Sequence, residues 1–182
     1  MPRWLNPANL LTLIRLLLAP AAILAILAHA PARALEVFFV AAVTDGIDGW
    51  LARRFAWSSA AGAYLDPIAD KVLLSGIYLA LVAVHSLPWW FVGLIFGRDL
   101  FILGACVIAL LFTHLRQFPP SVWGKLSTLF QIGMAVTVLA RDATTSVVLG
   151  TLTEALIWPT AAITLWSGIH YAWRGLRLVR VH

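Results

Sequence analysis

Residues 72–97, VLLSGIYLALVAVHSLPWWFVGLIFG, run from Lys71 to Arg98 without one Asp, Glu, Lys or Arg. One helical crossing of a hydrocarbon core takes about 20 apolar residues. The stretch is interrupted by HSLP at 85–88, and a Pro-containing break of this kind marks a turn. It therefore reads as the adjoining parts of two membrane helices. A second uncharged run covers residues 155–173. The composition agrees, because the 182 residues are 62% hydrophobic and their mean hydropathy is +0.90, whereas soluble domains are about half apolar. The chain reads as an all-α integral membrane protein.

Working outward, charges and breakers delimit six spans, near 8–28, 35–56, 62–85, 89–113, 122–140 and 146–173. Arg3 ahead of an apolar run resembles the start of a secretory signal, but Arg15 lies inside that run and further spans follow, so the segment reads as a retained first helix. No long linker or repeat appears, and one domain over 1–182 is expected. Lys and Arg collect on the cytoplasmic side of membrane proteins. With six spans, Arg3, Arg53, Arg54, Arg116, Lys125, Arg174, Arg177 and Arg180 fall on one side and Arg33 and Arg141 on the other. That asymmetry places both termini and the active site towards the cytoplasm, at the cell membrane. The basic tail WRGLRLVRVH, 173–182, suits anionic headgroups or a stop-transfer flank.

The net charge of +5 does not point to nucleic acid, because the basic residues sit at span ends and never alternate with exposed aromatics. Cys106 is alone, which offers neither a disulfide framework nor a thiolate metal site. Trp4, Trp89, Trp90, Trp123, Trp158 and Trp173 lie near span ends, as an interfacial aromatic belt requires. His85, His114 and His170 show no metal-ligand spacing and receive no role.

Against this background the acids are unevenly placed. Of eight Asp and Glu, four fall in TDGIDGWLARRFAWSSAAGAYLDPIAD, 44–70. On a helix Asp45 and Asp48 are three apart and share a face, and Asp66 and Asp70, four apart, share another. The segment between them can reverse the chain, so the two pairs can face each other. Four carboxylates near a membrane interface need neutralising by protons, basic side chains or metal ions. Arg53, Arg54 and Lys71 are too few to do so alone. Hard divalent ions such as Mg²⁺ or Mn²⁺ take carboxylate and phosphate oxygens, and a two-ion site suits phosphoryl transfer, with a spare carboxylate as general base. Gly46, Gly49 and Gly62 leave room for something bulky to approach the backbone, or for close helix packing.

Written as a pattern, Asp45-x2-Asp48-Gly49-x2-Ala52-Arg53-x8-Gly62-x3-Asp66-x3-Asp70 resembles the signature of the CDP-alcohol phosphotransferases, membrane enzymes of phospholipid synthesis. NPANLLTLIRLLLAP, 6–20, and WGKLSTLFQ, 123–131, look like segments of that family's phosphatidylglycerophosphate synthase and cardiolipin synthase branches. The resemblance implies a six-helix fold, a homodimer, and a polar cavity open to cytoplasm and lipid that takes CDP-diacylglycerol. By resemblance, Asp45, Asp48 and Asp66 are metal ligands, and Asp70 is a ligand or the base that takes the acceptor hydroxyl proton. Gly49, Ala52, Arg53 and Gly62 shape the CDP site, with Arg53 countering the diphosphate. The activated hydroxyl attacks the lipid-bearing β-phosphorus, and CMP leaves.

The signature does not name the acceptor alcohol. A phosphorylated acceptor needs converging cations, and Arg98, Arg116 and Lys125 are the residues available, with Arg15 a further cation in the first span. TLWSGIHY, 164–171, looks like the branch that uses glycerol 3-phosphate. Arg98-Asp99 and Ser127, where that branch often shows Arg-Glu and a second Lys, resemble the CMP-forming cardiolipin synthases, whose acceptor is phosphatidylglycerol. Glycerol 3-phosphate is the expected acceptor and phosphatidylglycerol the alternative. Rival readings are an intramembrane prenyltransferase, which is expected to have more spans, an ion or proton transporter built on the carboxylates, and a non-catalytic scaffold, which is expected to have lost an Asp.

Overall fold

The computed structural model describes the backbone of residues 7–55, 60–112 and 121–179 and the side chains of 13–44, 69–105 and 121–173. Those residues form six helices and no strand: α1 Pro7–Leu27, α2 Pro31–Phe55, α3 Ala60–Ala83, α4 Trp89–Phe112, α5 Val122–Thr144 and α6 Val147–Val179. Two bounds differ usefully from the sequence reading. Helix α2 starts at Pro31, inside an expected break, because proline at the first helical position sacrifices only an N–H that has no intrahelical partner there. Helix α6 runs on through the basic tail to Val179, since nothing after Pro159 stops it. At 33 residues it is about 50 Å long, more than a hydrocarbon core of about 30 Å can cover.

The breaks after α1 and α3 share one construction. His29 and His85 have φ of 54° and 59°. Around them His29 N–H donates to Ile26 O and Ala30 N–H to Ala25 O, while His85 N–H donates to Val82 O and Ser86 N–H to Leu81 O. These paired bonds satisfy the last carbonyls of each helix through a left-handed residue. His85, without a chemical role in the sequence reading, serves here as a helix terminator.

The chain forms two compact units, Met1–Ser86 with Leu139–Ser146, and Leu87–Val138 with Val147–His182. In the first, α1 packs on α2 and α3. Its interior includes Ala19, Ala22, Ala34, Ala41 and Ala80, while Leu17, Leu24, Phe39 and Leu79 are exposed. Larger side chains such as Phe38, Ile77, Tyr78 and Leu81 are buried among these alanines, and the large apolar residues left exposed suit a lipid surround. In a bilayer lipid tails are as apolar as leucine, so helices associate through the close approach that small residues permit. A Cβ added at Gly76 lies 2.5 Å from Ile23 Cδ1, which shows how tightly α1 and α3 meet. Arg141, near the end of α5, closes the unit by donating from Nη2 to Ser86 O at 3.0 Å.

In the second unit α4 packs on α6, and α5 meets α6 through a polar seam. Ser127 Oγ and Thr164 Oγ1 lie 3.2 Å apart, and Gln131 Nε2 donates to both at 3.3 and 3.4 Å. All three side chains are fully buried. Two tryptophan pairs link the helices: Trp90 with Trp158 at 5.7 Å, and Trp123 edge-on to Trp166 at 6.1 Å. Among the described residues, α5 and residues 147–173 of α6 are long and apolar enough to cross a membrane.

Candidate functional site

The four signature aspartates lie on two consecutive helices, Asp45 and Asp48 on α2 and Asp66 and Asp70 on α3. Gly49, Ala52 and Arg53 also belong to α2 and Gly62 to α3, and the side chains of these residues and of Asp45, Asp48 and Asp66 lie outside the described residues, as does that of Cys106. Helix α2 buries Ala34, Phe38 and Ala41. Positions 45 and 48 continue that four-then-three spacing.

Asp70 is described, and it is held. Arg15, only 1% exposed, reaches from α1 and donates from Nη1 to Asp70 Oδ1 at 2.9 Å, while half of the Asp70 side chain stays open. Arg15, Ala19, Ala22 and Ile26 form one buried stripe of α1, so the guanidinium lies on the face that packs against α2 and α3. A buried cation needs a close partner. Asp70 is thus oriented, with part of its surface accessible. That donor type fits Mg²⁺ or Mn²⁺, which prefer carboxylate oxygen. Among the described residues no group of three or more His, Cys, Asp or Glu is placed to hold an ion; three of the four expected ligands lie outside that set.

In the second unit Arg98 is the central cation. Its side chain is 9% exposed and Nη1 donates to Asp99 Oδ1 at 2.8 Å. Nη2 donates to Ser167 Oγ at 2.6 Å, and Cζ lies 5.9 Å from the centre of the Tyr171 ring. Its Nε is buried without a hydrogen-bond partner among the described residues. Beside it, α4 and α6 enclose an open groove of about 420 Å³ whose lining includes Gly93, Gly97, Phe101 and Gly168. The groove is apolar except near Arg98 and Thr164.

Helix α5 begins next to Arg98. Ser121 caps it, its Oγ accepting from Gly124 N–H at 3.0 Å, an arrangement generally worth about 1 kcal/mol. Lys125 is exposed on the first turn. Arg116 lies outside the described residues. Ser127, weighed in the sequence as a missing cation, points into the seam with Thr164 and Gln131 and offers nothing to a ligand in this conformation.

Sequence reasoning missed two partnerships. Arg15, noted only as a further cation in the first span, pairs with Asp70; its spacing of four and seven from Ala19 and Ala22 is the available signal. Ser167 and Tyr171 were seen only within a family-like segment, although four residues apart on a helix they share a face.

A family model described as CDP-alcohol phosphatidyltransferase matches residues 5–166. A probable phosphatidylglycerophosphate synthase of Mycobacterium tuberculosis (strain ATCC 25618 / H37Rv) is 36% identical over 184 residues, covering 94% of this chain and 82% of that protein. A CDP-diacylglycerol--glycerol-3-phosphate 3-phosphatidyltransferase of Yersinia enterocolitica is 34% identical over 190 residues, covering 94% of this chain and 97% of that protein.

Proposed function

Because the chain belongs to the CDP-alcohol phosphatidyltransferase family, whose members are membrane-bound enzymes generally dependent on divalent metal, we propose that it transfers the phosphatidyl group of CDP-diacylglycerol to glycerol 3-phosphate and releases CMP. The observation that carries the reading is the set of four signature aspartates on α2 and α3, with Asp70 ion-paired to the buried Arg15. The names of the relatives support this donor and acceptor. Membership in an enzyme family leaves the transporter reading without support.

In this proposal Asp45, Asp48 and Asp66, with Asp70 able to join them, hold two Mg²⁺ or Mn²⁺ ions. Such ions withdraw charge from diphosphate oxygens and ease departure of the nucleotide phosphate. Gly49, Ala52 and Gly62 admit the cytidine diphosphate close to the helix backbones, and Arg53 balances its charge. Asp70, oriented by Arg15, takes the proton from the acceptor hydroxyl. That oxygen attacks the β-phosphorus carrying the lipid, the bond to the bridging oxygen breaks, and CMP leaves with the electron pair. Arg98, Lys125 and Arg116 receive the phosphate of the acceptor. Arg98 suits this because Asp99 balances its charge while the site is empty and a phosphate can exchange into the same donor fork.

We further propose one catalytic domain over 1–182, six spans, a homodimer, and an active site and termini towards the cytoplasm. The family match extends through residues of both compact units, and the distribution of Lys and Arg supports the orientation. Phosphatidylglycerol is the second reading for the acceptor, favoured by the burial of Ser127 in the α5–α6 seam, where it provides no cation. Purified protein reconstituted with CDP-diacylglycerol and Mn²⁺ or Mg²⁺, and offered each acceptor separately, tests both. CMP release with glycerol 3-phosphate alone supports the first reading, release with phosphatidylglycerol alone replaces it with the second, and release with neither overturns both.

A further inference from the structure

The Arg98 guanidinium lies where three helices converge, and among the described residues one of its partners, Asp99, is charged. Asp99 is its neighbour on α4, while Ser167 and Tyr171 approach from α6. Tyr171 also reaches α5: its hydroxyl oxygen accepts from Ser121 N–H at 2.9 Å, at the residue that caps that helix. Gly124 leaves the space for this arrangement. A Cβ there lies 3.2 Å from both Cε2 and the hydroxyl oxygen of Tyr171 and 3.3 Å from Arg98 Nη2, closer than such atoms ordinarily sit.

We propose that Tyr171 is the positioning residue of the acceptor site, pinning α6 to the first turn of α5 so that Arg98 is held ready for the phosphate of the acceptor. This rests on the reading of Arg98 as an acceptor-binding residue. The physical case is one of ordering. An arginine loses considerable rotamer freedom when it binds an anion, and binding is tighter when the guanidinium is already in place. The Tyr171 ring lies within cation–π range of about 6 Å and has only two torsions to fix. The bond to Ser121 then ties the ring to the start of α5, where Lys125 also resides. Ser167 fixes the other side of the guanidinium through Nη2, leaving Nε as a donor without a partner among the described residues. The Gly124-Lys125 pair acquires a reason: the glycine admits Tyr171 and Arg98, and the lysine follows on the same turn.

Steady-state kinetics of Tyr171→Phe, Arg98→Gln, their double variant and Gly124→Ala test the inference, with the acceptor that supports CMP release varied at saturating CDP-diacylglycerol and the reverse. Arg98→Gln is expected to raise the acceptor KM about 100-fold, the scale of a charge-assisted contact. Tyr171→Phe keeps the ring and loses the anchor, and should raise the acceptor KM about fivefold with kcat and the CDP-diacylglycerol KM unchanged. Gly124→Ala should do the same by displacing the ring and guanidinium, which keeps the test alive if a Tyr171 variant fails to fold. The double variant should be no worse than Arg98→Gln, because Tyr171 acts through Arg98. If Arg98→Gln leaves the acceptor KM unchanged, the acceptor-site reading falls and this inference with it. If Arg98→Gln raises it while Tyr171→Phe and Gly124→Ala do not, only the inference falls. Additive losses in the double variant, or equal rises in both KM values, also overturn it, assigning Tyr171 an independent or general structural role.

Discussion

Among the described residues, Arg15 in the first unit and Arg98 in the second each pair with an aspartate, and the two pairs are built differently. Arg15 reaches across 55 residues of sequence from α1 to Asp70 on α3, at 2.9 Å. Arg98 pairs with the next residue, Asp99, at 2.8 Å, and reaches across helices only to neutral partners, Ser167 and Tyr171. In the first pair the ion pair itself joins helices, so removing either partner disturbs both charge and packing. In the second the charge is balanced locally and neutral groups fix the geometry. A guanidinium so held can take up an anion without undoing a helix contact. Under the proposed function, the contrast separates a cation that organises the carboxylate assigned as base from one suited to binding substrate.

The surroundings follow the same division. Around Arg15 the interior is alanine-rich, and α1 and α3 meet closely at Gly76. Around Arg98 the helices are joined by hydroxyls, amide and tyrosine, from Ser121 through Ser127, Gln131 and Thr164 to Ser167. Close packing makes the first region intolerant of larger side chains. The second depends on matched donors and acceptors.

The sharpest way to break the comparison is at Asp70. Asp70→Asn should lower kcat about 10³-fold, within the range for loss of a general base, while binding of CDP-diacylglycerol persists. Unchanged turnover would remove Asp70 from the base role and reduce the first pair to a structural one. Next comes Arg15→Met. Breaking a buried pair commonly costs about 3–5 kcal/mol, but half of Asp70 is exposed and water can partly replace the guanidinium. A loss nearer 2 kcal/mol of stability is expected, with kcat down about tenfold and partly recovered in Arg15→Lys. Thermal melting in detergent and single-turnover rates read the two effects, and an unchanged kcat in Arg15→Met would show that Asp70 does not need its partner. The smallest change is expected at the seam. Thr164→Val removes the oxygen shared by Ser127 and Gln131, and interhelical hydrogen bonds in membranes average about 0.6 kcal/mol, so only a slight fall in melting temperature should follow. A fall as large as that of Arg15→Met would mean the seam supports the second unit as strongly as the ion pair supports the first.

Much of this was legible one residue at a time. Helix boundaries followed from where Lys, Arg and Pro interrupt apolar runs, because the energetic demand of a hydrocarbon core acts on every segment separately. The four aspartates were legible as a candidate site because carboxylates in membrane helices are costly and their spacing of three and four puts each pair on one face. Identical reasoning left the partners of Arg15 and Ser127 unnamed. A cation in a span announces that it needs a partner without saying which helix supplies it, and a serine in place of a lysine does not reveal that it turns into a seam.

By itself, then, the sequence determined that the chain is made of apolar helices, where they begin and end to within a few residues, and which two of them carry the carboxylates, since each of these depends on local composition and helical period. Only the tertiary structure decided that Arg15 serves Asp70, that Ser127 faces Thr164, and that Arg98 is framed by Ser167, Tyr171 and the space at Gly124. Those contacts join residues 55, 37 and 69 positions apart, and which helix faces meet is set by the packing of small residues and the pairing of buried polar groups over the whole chain.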